Sequence, residues 1–225
     1  MFGLEGKVVF VTGGNRGIGA AIVEILTTLG ARVAYTYRSG PGPDAALAIQ
    51  ADRTEEEVGE IYGVVLNAGI TKDNLFPNIS VDDWYAVIDT NLNGVFNTLH
   101  PIVPKLYARG SGALVFISSI VGEQGNIGQA NYSAAKSAII GLAKTLGLEG
   151  ARYGVRSNVV APGFTSTDMI KEIPDKVKDR ILSKIPLRRF AEPEEIAWAV
   201  SFLLSPVMAG YITGEIISIN GGQYT

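Results

Sequence analysis

The stretch Val8–Leu26, VVFVTGGNRGIGAAIVEIL, constrains the fold more than any other part of the chain. A short run of apolar, β-favouring residues leads into a turn with glycines at positions 13, 17 and 19. Behind the turn, Ile18, Ile22, Ile25, Leu26 and Leu29 recur at helical spacing and mark one apolar face. A strand that is apolar at nearly every position belongs in a parallel sheet covered on both sides. Glycines let the backbone turn tightly into the helix and approach a ligand closely, and the helix start offers unpaired N–H groups and a positive dipole end. The T-G-x-x-x-G-x-G spacing differs from the commoner G-x-G-x-x-G, but the strand-before, helix-after context suits a nucleotide pyrophosphate. Gly13, Asn15, Arg16, Gly17, Ile18 and Gly19 are the candidate contacts.

The same alternation runs along the chain. Strands are expected at Lys7–Thr12, Ala31–Tyr37, Leu47–Asp52, Tyr62–Leu66, Ala113–Ser118, Val155–Ala161 and Glu215–Ile219. Long helical patterns follow Ser80, with an acid three residues on as in a capping box, and run from Asn131 to Ala151. This predicts an α/β doubly wound (Rossmann) parallel sheet of about seven strands with helices on both faces, in a single domain over residues 1–225. The crossover Arg53–Ile61 is shorter than the dozen or so residues a parallel connection normally takes. Either its helix is a stub or residues are missing there, which a mass well above 23.9 kDa would reveal.

Composition removes several classes of function. With 47% hydrophobic and 18% charged residues, the chain can bury a sizeable core. A net charge of −3 without basic runs argues against nucleic acid. There is no cysteine, so thiol catalysis and disulfides are excluded. Nothing in the sequence has metal-ligand spacing, and no stretch of about 18 apolar residues suggests a membrane span. The start MFGLEGKVVFVTGG lacks the features of a signal peptide, and a cytoplasmic location is expected.

Strand two ends in Arg38 and Ser39, where dinucleotide folds that hold a free ribose 2′-hydroxyl carry an acid. Together with Arg16, this favours a 2′-phosphate, hence NADPH/NADP+ over NADH. Other strand ends deliver Asn67, Ala68 and Gly69, then Ser118 and Ser119, then Pro162, Gly163, Thr165 and Thr167. Asn91 interrupts an apolar helical pattern. In NYSAAKS, Tyr132 and Lys136 stand one helical turn apart on one face, a pattern that by itself is usually just a helix surface and that calls for other motifs before it reads as proton chemistry. His100, the only histidine, reads as structural or exposed.

The set TGGNRGIG, NAG, Asn91 in NLNG, Ser119, YSAAK and PGFTST, in this order, resembles the short-chain dehydrogenase/reductase family over almost the whole chain. GITKDNL, GNIGQANYSAAK, IPLRRF and YITGE resemble its 3-oxoacyl-carrier-protein reductases. IYGVVLNAGITKDN and EEIAWAVSFLLSPV are also similar to its acetoacetyl-CoA reductases.

The resemblance implies that Tyr132 protonates a carbonyl oxygen and that Ser119 positions that oxygen. Lys136 would lower the tyrosine's pKa and hold the nicotinamide ribose, and Asn91 would hold a water on the proton path. It also implies cofactor contacts at Gly13 to Arg16, Asn67, Thr165 and Thr167, with Asp52 facing the adenine. Two departures stand out: Leu66 replaces the first Asn of Asn-Asn-Ala-Gly, and Arg53 replaces a small apolar residue. The expected substrate is an acyl thioester, on acyl carrier protein or coenzyme A, with the carrier protein preferred. Lys105, Arg109 and Arg152 are the basic residues nearest the positions where such reductases meet a carrier. Met169, Ile170, Ile173, Val177, Ile181 and Leu182 recur at helical spacing in a segment that resembles a substrate lid, and the assembly is expected to be a homotetramer. Reduction of another ketone or polyol, and NADPH binding without turnover, remain as alternative functions.

Overall fold

The computed structural model describes residues 2–37, 47–50, 59–167 and 174–225. Among these, seven strands form one sheet: β1 (Val8–Val11), β2 (Arg32–Tyr37), β3 (Leu47–Gln50), β4 (Ile61–Leu66), β5 (Gly112–Ile117), β6 (Val155–Pro162) and β7 (Ile216–Ile219). Their order is β3-β2-β1-β4-β5-β6-β7, and every pairing is parallel. The C-terminal ends of all seven therefore share one edge. The order reverses between β1 and β4, and a crevice opens at such a switch point. All seven expected strands are present, and the observed strands mostly trim their ends.

Alternate residues of each strand face opposite sides. On one side Val9, Val11, Val33, Tyr35, Val65 and Val115 pack in one core with Ile22 and Leu26 of α1 (Gly17–Thr28). The last helix of the chain, which runs from Pro193 to Leu204, adds Ile196, Val200 and Leu203 to that core. On the other side Val64, Leu66, Leu114, Phe116 and Val159 pack with residues that precede and follow β5 in sequence. Every residue of β4 and β5 is buried, which is why these segments read as continuous apolar runs rather than alternating ones.

The helices of the second side position the site. The stretch after Ser80 forms α2 (Val81–Ile88), capped as expected: Ser80 Oγ accepts from Asp83 N at 3.0 Å. A π-helical segment, Asp89–Asn93, then joins it to α3 (Gly94–Arg109). After β5 come the short α4 (Ile120–Gln124) and the long α5 (Ala130–Ala151). Leu99, Ile102 and Leu106 of α3 and Ile139 and Ala143 of α5 complete the second core. Beyond β6 lie α6 (Asp175–Leu182) and α7 (Pro193–Leu204). Within the expected lid, Met169, Ile170 and Ile173 fall outside the described residues. Val177, Ile181 and Leu182 sit on α6, where no residue is fully buried.

Candidate active site

The glycine turn is built by its neighbours. Thr12 Oγ1 accepts from the amides of both Asn67 and Ala68 at 3.0 Å, which ties the end of β1 to the end of β4. Asn67 Nδ2 donates to Thr12 O at 3.1 Å and to Gly13 O at 3.0 Å. Gly19 lets the first turn of α1 press against this loop, since a Cβ there would lie 2.0 Å from Gly13 O. Gly17 has φ +52°, and a Cβ on it would meet Thr167 Cγ2 at 3.2 Å, so the segment after β6 closes on the turn. Arg16 precedes α1 in extended conformation, gives no side-chain cap, and no acid stands in the helix's first turn. That start is suited to an anion, because its amides have no intrahelical acceptor and meet no negative charge.

The other expected cofactor residues fall into two groups. Ala68, Gly69, Pro162, Gly163, Thr165 and Thr167 line the same sheet edge as the turn. Gly163 N donates to Ile219 O at 2.8 Å, and a Cβ at Gly163 would lie 2.8 Å from Asn220 Cα. Ile18 packs partly into the first core. Arg38, Ser39 and Asp52 lie outside the described residues. Sequence reasoning missed Thr12 and gave Asn67 only a ligand role. Both hold the turn with their side chains, and the signal was the threonine directly before Gly13. Leu66 replaces the usual asparagine at no cost to the site, since its side chain belongs to the second core.

Ser119, Tyr132, Lys136 and Asn91 converge beside this turn. Ser119 caps α4, its Oγ accepting from Val121 N at 3.2 Å, and its side chain faces the Tyr132 phenol closely enough to favour the phenolate. Lys136 is fully enclosed; its Nζ donates to Ile117 O at 2.7 Å and lies 5.6 Å from the centroid of the Tyr132 ring. A Cβ on Gly69 would stand 3.5 Å from that Nζ and 3.3 Å from Asn91 Oδ1, so a side chain at position 69 would crowd both groups. Ser118, adjacent to Ser119, is structural: its Oγ donates to Lys136 O at 2.8 Å. Asn91 is buried in the π-helical segment, where its Oδ1 accepts from Ile70 N at 2.8 Å and its Nδ2 donates to Ile70 O at 2.9 Å. A single π turn of this kind is typical of functional sites.

Burial dominates the electrostatics. It pushes the Tyr132 phenol up to about 12; the Ser119 hydrogen bond works against that rise and Asp73 adds to it. Burial likewise lowers the Lys136 ammonium to about 8. The expectation that Lys136 would lower the tyrosine is therefore corrected. The ammonium is turned to Ile117 O rather than to the phenol oxygen, and desolvation of the phenolate outweighs the hydrogen bond that favours it. At neutral pH the pair is a neutral phenol beside a predominantly charged, enclosed ammonium.

Two of the basic residues expected to meet a carrier, Arg109 and Arg152, sit elsewhere. Arg109 ends α3 and is bonded to Ile61 O, at the start of β4, and to Ser111 O at 3.1 Å. Arg152 ends α5 and stacks over Tyr153 at 4.7 Å. Both stand at the N-terminal ends of the strands, opposite the site. His100 is exposed, as expected, with its ring against Phe96. Among the described residues no helix is long and apolar enough to cross a membrane.

A glycine turn at the switch point, with Ser119 just past the end of β5, Tyr132 and Lys136 on α5 and Asn91 in the π-helical segment gathered beside it, is the arrangement of a sheet-based dehydrogenase. Residues 43–224 match the family described as enoyl-(acyl carrier protein) reductase, and the chain belongs to the short-chain dehydrogenase/reductase family. It is an oxidoreductase acting on CH–OH groups. It is 51% identical to an acetoacetyl-CoA reductase of Synechocystis sp., over 99% of this chain and 98% of that protein. An acetoacetyl-CoA reductase of Shinella zoogloeoides is 44% identical, over 97% of this chain and 98% of its own. The 3-oxoacyl-[acyl-carrier-protein] reductase FabG of Vibrio cholerae is 40% identical, over 98% of both chains.

Proposed function

We propose that this protein reduces a 3-oxoacyl thioester to the 3-hydroxyacyl thioester with NADPH, and that Tyr132 is the proton donor. The observation that carries the reading is the placing of Ser119 against the Tyr132 phenol, beside an enclosed Lys136 whose Nζ is bonded to Ile117 O at the end of β5. The residues present fit a dinucleotide: Arg16 gives the start of α1 no side-chain cap, its first turn holds no acid, and Gly17 and Gly19 let the turn fold tightly against residues 13 and 167. Residues 13 and 15–19, 67–69, 162, 163, 165 and 167 would hold it, with Asn67 acting through the turn, and Tyr132 and Lys136 would hold its nicotinamide half. Arg16 supports NADPH by placing a guanidinium in the turn, and Arg38, Ser39 and Asp52 complete that proposed contact set. When bound, the cofactor supplies the hydride.

The chain's own part is to bind, polarise and protonate. Ser119 Oγ accepts from Val121 N, and its O–H, which faces the Tyr132 phenol in the free protein, would turn to donate to a substrate carbonyl oxygen. The Tyr132 phenol, protonated throughout the neutral range, gives its proton to that oxygen as negative charge develops there. Lys136 stabilises the phenolate left behind and, with Asn91, leads back to a proton source.

Of the two thioesters, the preference formed from the sequence gives way to acetoacetyl-CoA. The 51% identity to a protein of that name supports it, as do Arg109 and Arg152, which are engaged at the far end of the sheet. The carrier-protein thioester is the second reading, supported by the 40% identity to FabG. NADPH oxidation assayed on both substrates separates them: a higher kcat/KM on acetoacetyl-CoA supports the first, and the reverse order establishes the second. Absence of turnover on either leaves another ketone, or NADPH binding alone, as the function. We further propose a homotetramer, in keeping with apolar side chains left exposed on α2, α3 and α5, among them Val81, Tyr85, Phe96 and Leu148. A monomeric mass by light scattering contradicts it.

A further inference from the structure

Asn131 has no exposed surface, although it stands in the first turn of α5. First-turn amides have no acceptor within their own helix, and Gln129, which precedes α5, supplies no side-chain cap. Asn131 provides for one of these amides: its Oδ1 accepts from Tyr132 N at 2.8 Å. Its Nδ2 reaches in the other direction and donates to Lys72 O at 3.1 Å. Lys72 lies in the segment that follows β4, residues 69–74. Two residues earlier this segment is gripped at Ile70 by both polar atoms of Asn91. Two residues later Asn74 N donates to Gly128 O at 2.8 Å, and between them Asp73 accepts from Gln129 Nε2 at 2.9 Å.

Two buried asparagines thus brace one short segment. Asn91 fixes the end beside Gly69 and Lys136, and Asn131 fixes the part beside Tyr132. Asparagine is a poor choice for a helix and an expensive one to bury, since its amide must be fully partnered. Here both ends of the amide are used, and both lead to the tyrosine's backbone or to the segment facing it.

We infer that Asn131 is a positioning residue for the Tyr132 phenol. It locks the start of α5 against residues 70–74 and so sets where the phenol stands relative to Ser119. Asn131 acts only through the backbone of Tyr132 and Lys72. The inference rests on Tyr132 being the proton donor.

The test compares Asn131→Ala, which loses both bonds, with Asn131→Ser, whose hydroxyl can still accept from the Tyr132 amide but is too short for Lys72 O. Fluorescence titration with NADPH gives its Kd and the concentration of folded sites, and kcat is expressed per titrated site. The Ala variant is expected to keep the native NADPH Kd while kcat per site falls about 10²-fold, the scale of an ångström-sized misplacement of a reacting group. The Ser variant falls between Ala and native. NADPH deuterated at the transferred position then shows a larger isotope effect on kcat in both variants. Native kcat per site in Asn131→Ala overturns the inference, as does a joint loss of NADPH affinity and kcat. A Ser variant without NADPH-binding sites also overturns it, because the residue is then simply structural. Tyr132→Phe is run beside them: if it stays active the proton-donor assignment fails, whereas an inactive Phe variant with a native-like Asn131→Ala sinks only the present inference.

Discussion

Replacing Lys136 with methionine offers a clean reading of how deeply the ammonium is enclosed. The folded protein holds this group at about 8 against an ordinary value of 10.5. Between those values the unfolded chain binds one more proton than the folded one, so the lysine makes the native protein gain stability as pH rises. The penalty is complete below about pH 8 and absent above about pH 10.5. Linkage over that displacement gives roughly 2–3 kcal/mol between pH 7 and pH 10. Lys136→Met removes the titration while leaving a side chain of similar length. It also removes the bond to Ile117 O, but that loss is the same at every pH and cancels from the comparison. Urea unfolding of both proteins, without NADPH and at equal concentration, gives each stability at pH 7 and pH 10. The stability of the methionine variant relative to native should be greater at pH 7 than at pH 10 by that amount. A difference independent of pH would refute the enclosed-ammonium account, and a difference of opposite sign would mean the lysine is paired with an anion.

Three further outcomes follow from the site. The kcat/KM profile, which reports the free enzyme, should decline as pH rises through about 8, where Lys136 loses its charge, rather than near 12, where Tyr132 loses its proton; a flat profile to pH 9.5 contradicts the role given to the lysine. Gly19→Ala places a Cβ against Gly13 O and should weaken NADPH binding by more than about tenfold, the equivalent of 1.4 kcal/mol, in a fluorescence titration. Asn91→Ala leaves the N–H and C=O of Ile70 without their partners and should cost about 1–3 kcal/mol in urea unfolding, together with a loss of kcat.

Local patterns carried much of the architecture. The all-apolar strands β4 and β5 announced a sheet covered on both faces, and the glycine turn announced its own place at the end of β1. Helical periodicity puts Tyr132 and Lys136 on one face, but their role was legible only through the family resemblance that the ordered motifs carry. What escaped the sequence depends on contacts distant in the chain. The π-helical segment around Asn91 accompanies a pair of bonds to Ile70, 21 residues away, which no local pattern encodes. The sign of the Tyr132 displacement was misjudged because spacing shows that a lysine is near but not that its Nζ is turned to Ile117 O. Asn131 stands in NYSAAKS, but its importance lies in burial and in a partner, Lys72, 59 residues earlier, neither of which the motif shows.

The central claim is that the Tyr132 phenol delivers the proton in an NADPH-dependent reduction of a thioester. NADPH oxidation in the presence of acetoacetyl-CoA, measured for the native protein and for Tyr132→Phe under NADPH saturation, tests it most directly. The account predicts thioester-dependent oxidation by the native protein and a loss of about 10²-fold or more in the Phe variant, the scale of a general acid, with NADPH still bound. Equal rates in the two proteins would contradict it.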